Sequence, residues 1–119
     1  MVVEDEEMLC ELLRNILEAA GYTVLSASDG EQAVSMYESL ADDIALVITD
    51  IGLPRMSGHE VFRRLRAMRP QARVIIATGY IEPDAKSNLL ALGAKHILQK
   101  PYLPEEVLRS VRDALTSKG

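Results

Sequence analysis

The chain has 119 residues, a net charge of −5 and 48% hydrophobic content. That suits one folded domain with one core and excludes a disordered tail. It also excludes a nucleic-acid surface, which needs clustered Lys and Arg to neutralise phosphates. No apolar run approaches the ~20 residues of a spanning helix. Acids at positions 4–7 stand where a signal peptide would carry positive charge. The lone Cys10 has no internal disulfide partner. Together these point to a reducing, cytoplasmic setting.

Strand and helix alternate along the whole chain, with no repeat or linker, so residues 1–119 read as one domain. Residues 1–3 open with a short apolar strand. Met8, Leu9, Leu12, Leu13, Ile16 and Leu17 then recur at helical spacing, and Gly21 stops that helix. A mixed strand over 22–27 leads to Ser28 or Asp29 as the cap of a second helix carrying Ala33, Val34, Met36 and Tyr37. The run 44–49 is apolar enough for a strand buried on both faces. After the Pro54-containing loop 51–56, Ser57 and Glu60 form a capping-box pattern for a third helix. Val61, Phe62 and Leu65 are its inner stripe, and Pro70 ends it.

The run 73–77 makes a fourth strand, fully apolar over Val74-Ile75-Ile76-Ala77. A short helix over 84–92 closes at Gly93, and 96–99 make a fifth strand. Pro104, Glu105 and Glu106 then start the last helix, with Val107, Leu108, Val111 and Leu115 as its stripe.

Five strands alternating with five helices predict a flavodoxin-like, doubly wound three-layer α/β sandwich. The most apolar strands, the first, third and fourth, belong in the centre, which gives the order 2-1-3-4-5. In such a sheet the C-terminal strand ends share one edge, where ligands bind. Glu4-Asp5, Asp50, Thr78 and Lys100 each stand at a strand end and should therefore converge.

Asp5 and Asp50 on adjacent strands, with Glu4 beside them, repel one another unless a cation joins them. An all-oxygen set selects a hard ion such as Mg²⁺ or Mn²⁺. Asp50 can act as a nucleophile toward phosphorus, with Lys100 neutralising charge and Thr78 donating a hydroxyl. Each residue also has a plainer reading: Glu6 and Glu7 as helix-dipole acids, Lys100 as a solvated lysine, Thr78 as a strand-end hydroxyl bonded to backbone. Their joint placement favours the chemical reading. The arginines at 63, 64, 66 and 69 read as a solvated helix face, and His59 and His96 as surface residues.

These residues resemble the receiver domain of two-component response regulators. The motifs are Val2-Val3-Glu4-Asp5-Glu6, Thr49-Asp50-Ile51-Gly52-Leu53-Pro54-Arg55-Met56-Ser57-Gly58, Ala77-Thr78-Gly79 and Gln99-Lys100-Pro101-Tyr102. The resemblance implies that Asp50 accepts a phosphoryl group from a sensor histidine kinase or a histidine phosphotransfer protein. It implies Mg²⁺ on Asp5, Asp50 and the Gly52 carbonyl, with Glu4 acting through water. Lys100 would contact the phosphoryl group, Thr78 would report it, and Lys100-Pro101 would be cis.

The first-helix face, 6–20, would dock the donor. The face from the fourth to the fifth helix, with Lys86, Asn88, Lys95, His96 and Arg109, would carry output or a phosphorylation-linked homodimer. Ile97 departs from the pattern, standing where many receivers carry a switch Tyr or Phe. The first strand is also short. The stretches 78–80 and 98–102 resemble C-terminal receivers of hybrid sensor histidine kinases, against a stand-alone or truncated regulator. The protein is thus expected to be a switch rather than a metabolic enzyme, limited to self-phosphotransfer and autodephosphorylation. The competing functions are a pseudo-receiver that only docks partners and a flavodoxin-like phosphatase. The phosphatase lacks a Gly-rich loop after the first strand and has Gly52 where its second acid would stand.

Overall fold

A computed structural model describes residues 1–116; residues 117–119, the end of the expected domain, lie outside the described residues. The elements are β1 (Val2–Val3), α1 (Glu7–Ala19), β2 (Ser26–Ala27), α2 (Gly30–Leu40), β3 (Val47–Asp50), α3 (Gly58–Met68), β4 (Val74–Thr78), α4 (Pro83–Ala91), β5 (His96–Gln99) and α5 (Pro104–Thr116). All strand pairs are parallel, and the order is β2-β1-β3-β4-β5, as expected.

Alternation along the strands builds two cores. Val3, Val47, Val74, Ile76 and Ile97 face Ala33, Tyr37, Val61, Phe62, Leu65 and Leu89 of α2, α3 and α4. Val2, Ile48, Ile75, Ala77 and Leu98 face Leu13, Ile16, Leu17, Val107, Val111 and Ala114 of α1 and α5. The period of two on each strand sends neighbours to opposite faces, and a helical layer covers each face. The central strands are therefore apolar up to their C-terminal ends, where Thr49, Asp50 and Thr78 stand.

Local signals fix the helix ends. Asp29, one of two expected caps, accepts from the Gln32 N–H at 2.8 Å. Gly21 takes φ +96°, and the Tyr22 N–H returns to the Leu17 carbonyl, closing α1. The capping box at α3 forms by half: Ser57 Oγ accepts from the Glu60 N–H at 3.2 Å. The Glu60 carboxylate turns instead to Arg63 and Arg64, because two guanidinium donors outcompete one backbone N–H.

Three strand expectations need correction. The second strand spans only Ser26–Ala27 rather than 22–27, because β1 offers just two residues to pair with. The third begins at Val47 rather than 44; residues 41–43 form a 3₁₀ turn, and Ala45 is exposed. The third and fourth strands each run one residue further than expected, so Asp50 and Thr78 are strand residues. At the opposite edge of the sheet the Met1 ammonium donates to the Leu46 carbonyl at 2.7 Å. Burial lowers its pKa from 8.0 to about 6.

Candidate functional site

Register brings the polar residues together. Val3 pairs with Thr49, so Glu4 and Asp50 follow side by side at the edge. Asp50 pairs with Ala77, and Thr78 with Gln99. The Lys100 N–H donates to the Thr78 carbonyl at 2.8 Å, which fixes where the lysine leaves the sheet. Its Nζ stands 3.1 Å from Asp50 Oδ1 and 3.2 Å from Glu4 Oε1. The Lys100–Pro101 bond is cis. Lys100 is thus not a free surface lysine.

Glu4 is 2% exposed, a depth at which an isolated carboxylate is unfavourable. Its Oε2 accepts the Asp5 N–H at 3.1 Å and, more weakly, the Glu6 N–H at 3.4 Å. Its Oε1 is buried and lacks a well-aligned hydrogen bond despite the nearby ammonium. Burial raises the Glu4 pKa, and the Asp50 charge adds to this; Lys100 opposes both. Burial works against the Lys100 ammonium, but the hydrogen bond and charge of Asp50, and then Glu4, outweigh it. The lysine pKa stays above its usual value.

Glu4, Asp5 and Asp50 each offer a carboxylate oxygen, and these oxygens lie within 4.8 Å of one another. Asp5 is exposed while the other two are buried, so the cluster opens outward. Three carboxylates facing one ammonium leave negative charge in excess. An all-oxygen set with an orphaned buried oxygen fits a hard divalent cation.

Thr78 stands at the end of β4, as expected. Its hydroxyl donates to the Tyr80 carbonyl at 3.0 Å, within its own loop. The plainer reading, a strand-end threonine bonded to backbone, describes it in this state. Ile97 is buried in the same core as Leu89. Gly52 is exposed beside the acids; a Cβ placed there would lie 3.9 Å from Asp50 Oδ2. His59 and His96 are exposed, as expected. So are Met8 and Leu12 on α1, and Lys86, Asn88 and Arg109 on the α4 and α5 side.

Two residues that stand in the quoted motifs, without a role assigned to them there, help build the site. Gly58 opens α3 against Asp50, and a Cβ there would stand 2.2 Å from the Asp50 carbonyl oxygen. Its N–H donates to the Ile51 carbonyl at 2.9 Å. A glycine just after a helix cap was the available signal. Tyr102 is buried just after the cis proline, and burial first, then the Glu4 and Asp50 charges, raise its pKa. An aromatic two residues past the strand-end lysine was its signal.

Among the described residues no helix is long and apolar enough to cross a membrane. A family model described as "Response regulator receiver domain" matches residues 1–112. The chain is 37% identical over 115 residues to the alkaline phosphatase synthesis transcriptional regulatory protein PhoP of Bacillus subtilis. The match covers 97% of this chain and 47% of that protein. It is 30% identical over 115 residues to sensor kinase CckA of Brucella abortus, covering 97% of this chain and 12% of that protein. The chain spans about half or less of the length of the first curated relatives it matches.

Among solved structures, it resembles a chain of the CheX-CheY-BeF3-Mg²⁺ complex from Borrelia burgdorferi. The TM-score is 0.93 at 27% identity, over 98% of this chain and 87% of that one. With the fold, the sheet order and the polar edge in place, the chain belongs to the response regulator receiver domain family of two-component signalling.

Proposed function

We propose that Asp50 is the phospho-acceptor of this receiver and that Lys100, Glu4 and Asp5 serve its chemistry. One observation carries this: the Lys100 ammonium bridges Asp50 and Glu4 at 3.1 and 3.2 Å on the sheet edge where Asp5 joins them. In the transfer step an Asp50 carboxylate oxygen attacks the phosphorus of a phosphohistidine. An O–P bond forms, the N–P bond breaks, and the donor imidazole leaves with the electron pair. In autodephosphorylation water attacks phosphorus, a new O–P bond forms, the O–P bond to Asp50 breaks, and the carboxylate departs with the electron pair as inorganic phosphate is released.

Asp5, Asp50 and the Gly52 carbonyl would hold Mg²⁺ or Mn²⁺ directly, with Glu4 acting through water. A bound divalent cation supplies charge neutralisation at the phosphoryl oxygens. Lys100 would add a second positive charge there, and its ion pair with Asp50 keeps that carboxylate oriented. Because its pKa lies above the usual value, it stays an ammonium throughout the neutral range.

Thr78 is the candidate reporter. Its hydroxyl exchanges the Tyr80 carbonyl for a phosphoryl oxygen, which frees the 79–82 loop and α4. Ile97 then moves as an aliphatic packing residue rather than as an aromatic rotor, and cis-Pro101 keeps Lys100 aimed inward. The donor is a sensor histidine kinase or histidine phosphotransfer protein that docks on α1. The protein acts in the cytoplasm as a switch and not as a metabolic enzyme. A phosphorylation-linked homodimer would use the α4 and α5 side. The parent chain we favour is a hybrid sensor kinase, for which the CckA match lends support.

The test is intact mass after incubation with acetyl phosphate and Mg²⁺. A metal-dependent phosphoryl adduct on the wild type and none on Asp50→Asn is expected. No adduct on a folded wild type would overturn the proposal in favour of a docking-only module.

A further inference from the structure

α3 is anchored at both ends. At its start, Gly58 packs directly on the Asp50 backbone. Near its other end Arg66 reaches across to two loops. Its Nη1 donates to the Ala72 carbonyl at 3.2 Å and, longer, to the Gly93 carbonyl at 3.4 Å. The guanidinium lies 6.0 Å from the Phe62 ring centroid, a distance at which the ring still helps hold it. Gly93 makes room: at φ +113°, a Cβ there would stand 2.8 Å from Arg66 Nη2. So the glycine both turns the chain and admits the guanidinium.

The far side of this turn is also fixed, since Ala94 is buried and the Lys95 N–H donates to the Val74 carbonyl at 2.8 Å, whereas α4 itself is lightly anchored. Leu89 is the one buried residue of α4 among the described residues. The turn after α4 is closed by its own backbone bonds, Leu92 to Asn88, Gly93 to Leu90 and Ala94 to Leu89. Such a helix belongs to the low-stability end of a fold. α4 also lies between the Thr78 loop and β5, the strand that leads into Lys100.

We propose that Arg66 is a conformational tether: it clamps the α4–β5 turn to α3, and so restrains the one helix placed to repack when the site changes. The tether couples the backbone at Asp50 to the Gly93 turn through a single rigid helix. From Gly58 to Arg66 the span is roughly 12 Å at 1.5 Å per residue.

Hydrogen exchange followed by mass spectrometry tests this without any phosphorylation, so its outcome is independent of the proposed acceptor role. Arg66→Met keeps an apolar stem over Phe62 and removes both hydrogen bonds. Arg66→Lys keeps the charge, loses the two-carbonyl fork, and guards against a poorly folded methionine variant. The expected result in both is about tenfold faster exchange of amides 86–95, with α5 and β3 amides unchanged. Unchanged exchange at 86–95, or an equal acceleration in α5 and β3, would overturn the tether.

Discussion

Replacing Gly58 by alanine tests whether α3 is seated on Asp50 as described. Gly58 is the first residue of α3, and in an ordinary helix alanine there gains up to about 1 kcal/mol over glycine. Here the added Cβ would stand 2.2 Å from the Asp50 carbonyl oxygen, 2.7 Å from the Ile51 Cα and 2.9 Å from the Asp50 carbonyl carbon. The first contact is roughly 1 Å short of van der Waals distance, and all three atoms are backbone, which cannot rotate away. Overpacking typically costs about 1–3 kcal/mol. A backbone obstacle belongs at the upper end, so Gly58→Ala should lose about 2–3 kcal/mol net of the helix gain.

The control is Gly79→Ala. A Cβ at Gly79 meets nothing within 4 Å, and that variant should lie within about 0.5 kcal/mol of wild type. Urea denaturation measures both, and the acetyl phosphate assay on folded protein should find Gly58→Ala the slower acceptor, because the acceptor backbone must move. A Gly58→Ala variant as stable as Gly79→Ala, or more stable than wild type, would refute the packing of α3 on Asp50.

Further outcomes follow from the electrostatics. Glu4→Gln should raise the denaturation midpoint at pH 7 in metal-free buffer and weaken stabilisation by added Mg²⁺. Burial and the Asp50 charge raise the folded-state pKa of Glu4. The folded state therefore holds that proton more readily, and this contribution is greatest below the unfolded pKa and lost as pH rises. Glu4→Gln should accordingly flatten that part of the pH profile. The Met1 amine works in the other direction. With its pKa lowered from 8.0 to about 6, the unfolded state binds the proton between those values. Stability of the 119-residue chain should rise by about 2 kcal/mol from pH 6 to pH 8. Acetylating the amine should remove that rise, as read by urea midpoints at the two pH values.

Much of the architecture was legible because the signals were redundant. The runs ending at Asp50 and Thr78 were apolar enough to require central strands, and Gly21, Asp29, Ser57 and Pro104 marked helix ends by local chemistry. The convergence of Glu4, Asp5, Asp50 and Lys100 followed from parallel topology, since residues at C-terminal strand ends must meet. What stayed hidden depends on tertiary detail. The length of β2 is set by what β1 offers for pairing, not by residues 22–25 themselves. The Glu60 side chain chose between its own helix cap and two arginines, a competition that spacing does not decide. Thr78 sits where expected, yet its hydroxyl answers to the Tyr80 carbonyl, and side-chain rotation leaves no trace in sequence. Gly58 is required by an atom eight residues earlier, a contact visible only once α3 is laid against β3.

The central claim is that Asp50 itself carries the phosphoryl group. After phosphorylation by acetyl phosphate with Mg²⁺, borohydride reduces an aspartyl phosphate to homoserine, and peptide mass spectrometry then locates the changed residue. Homoserine at position 50, absent when Mg²⁺ is chelated, is the predicted result. Homoserine at position 5 or elsewhere, with Asp50 unmodified, would contradict the assignment.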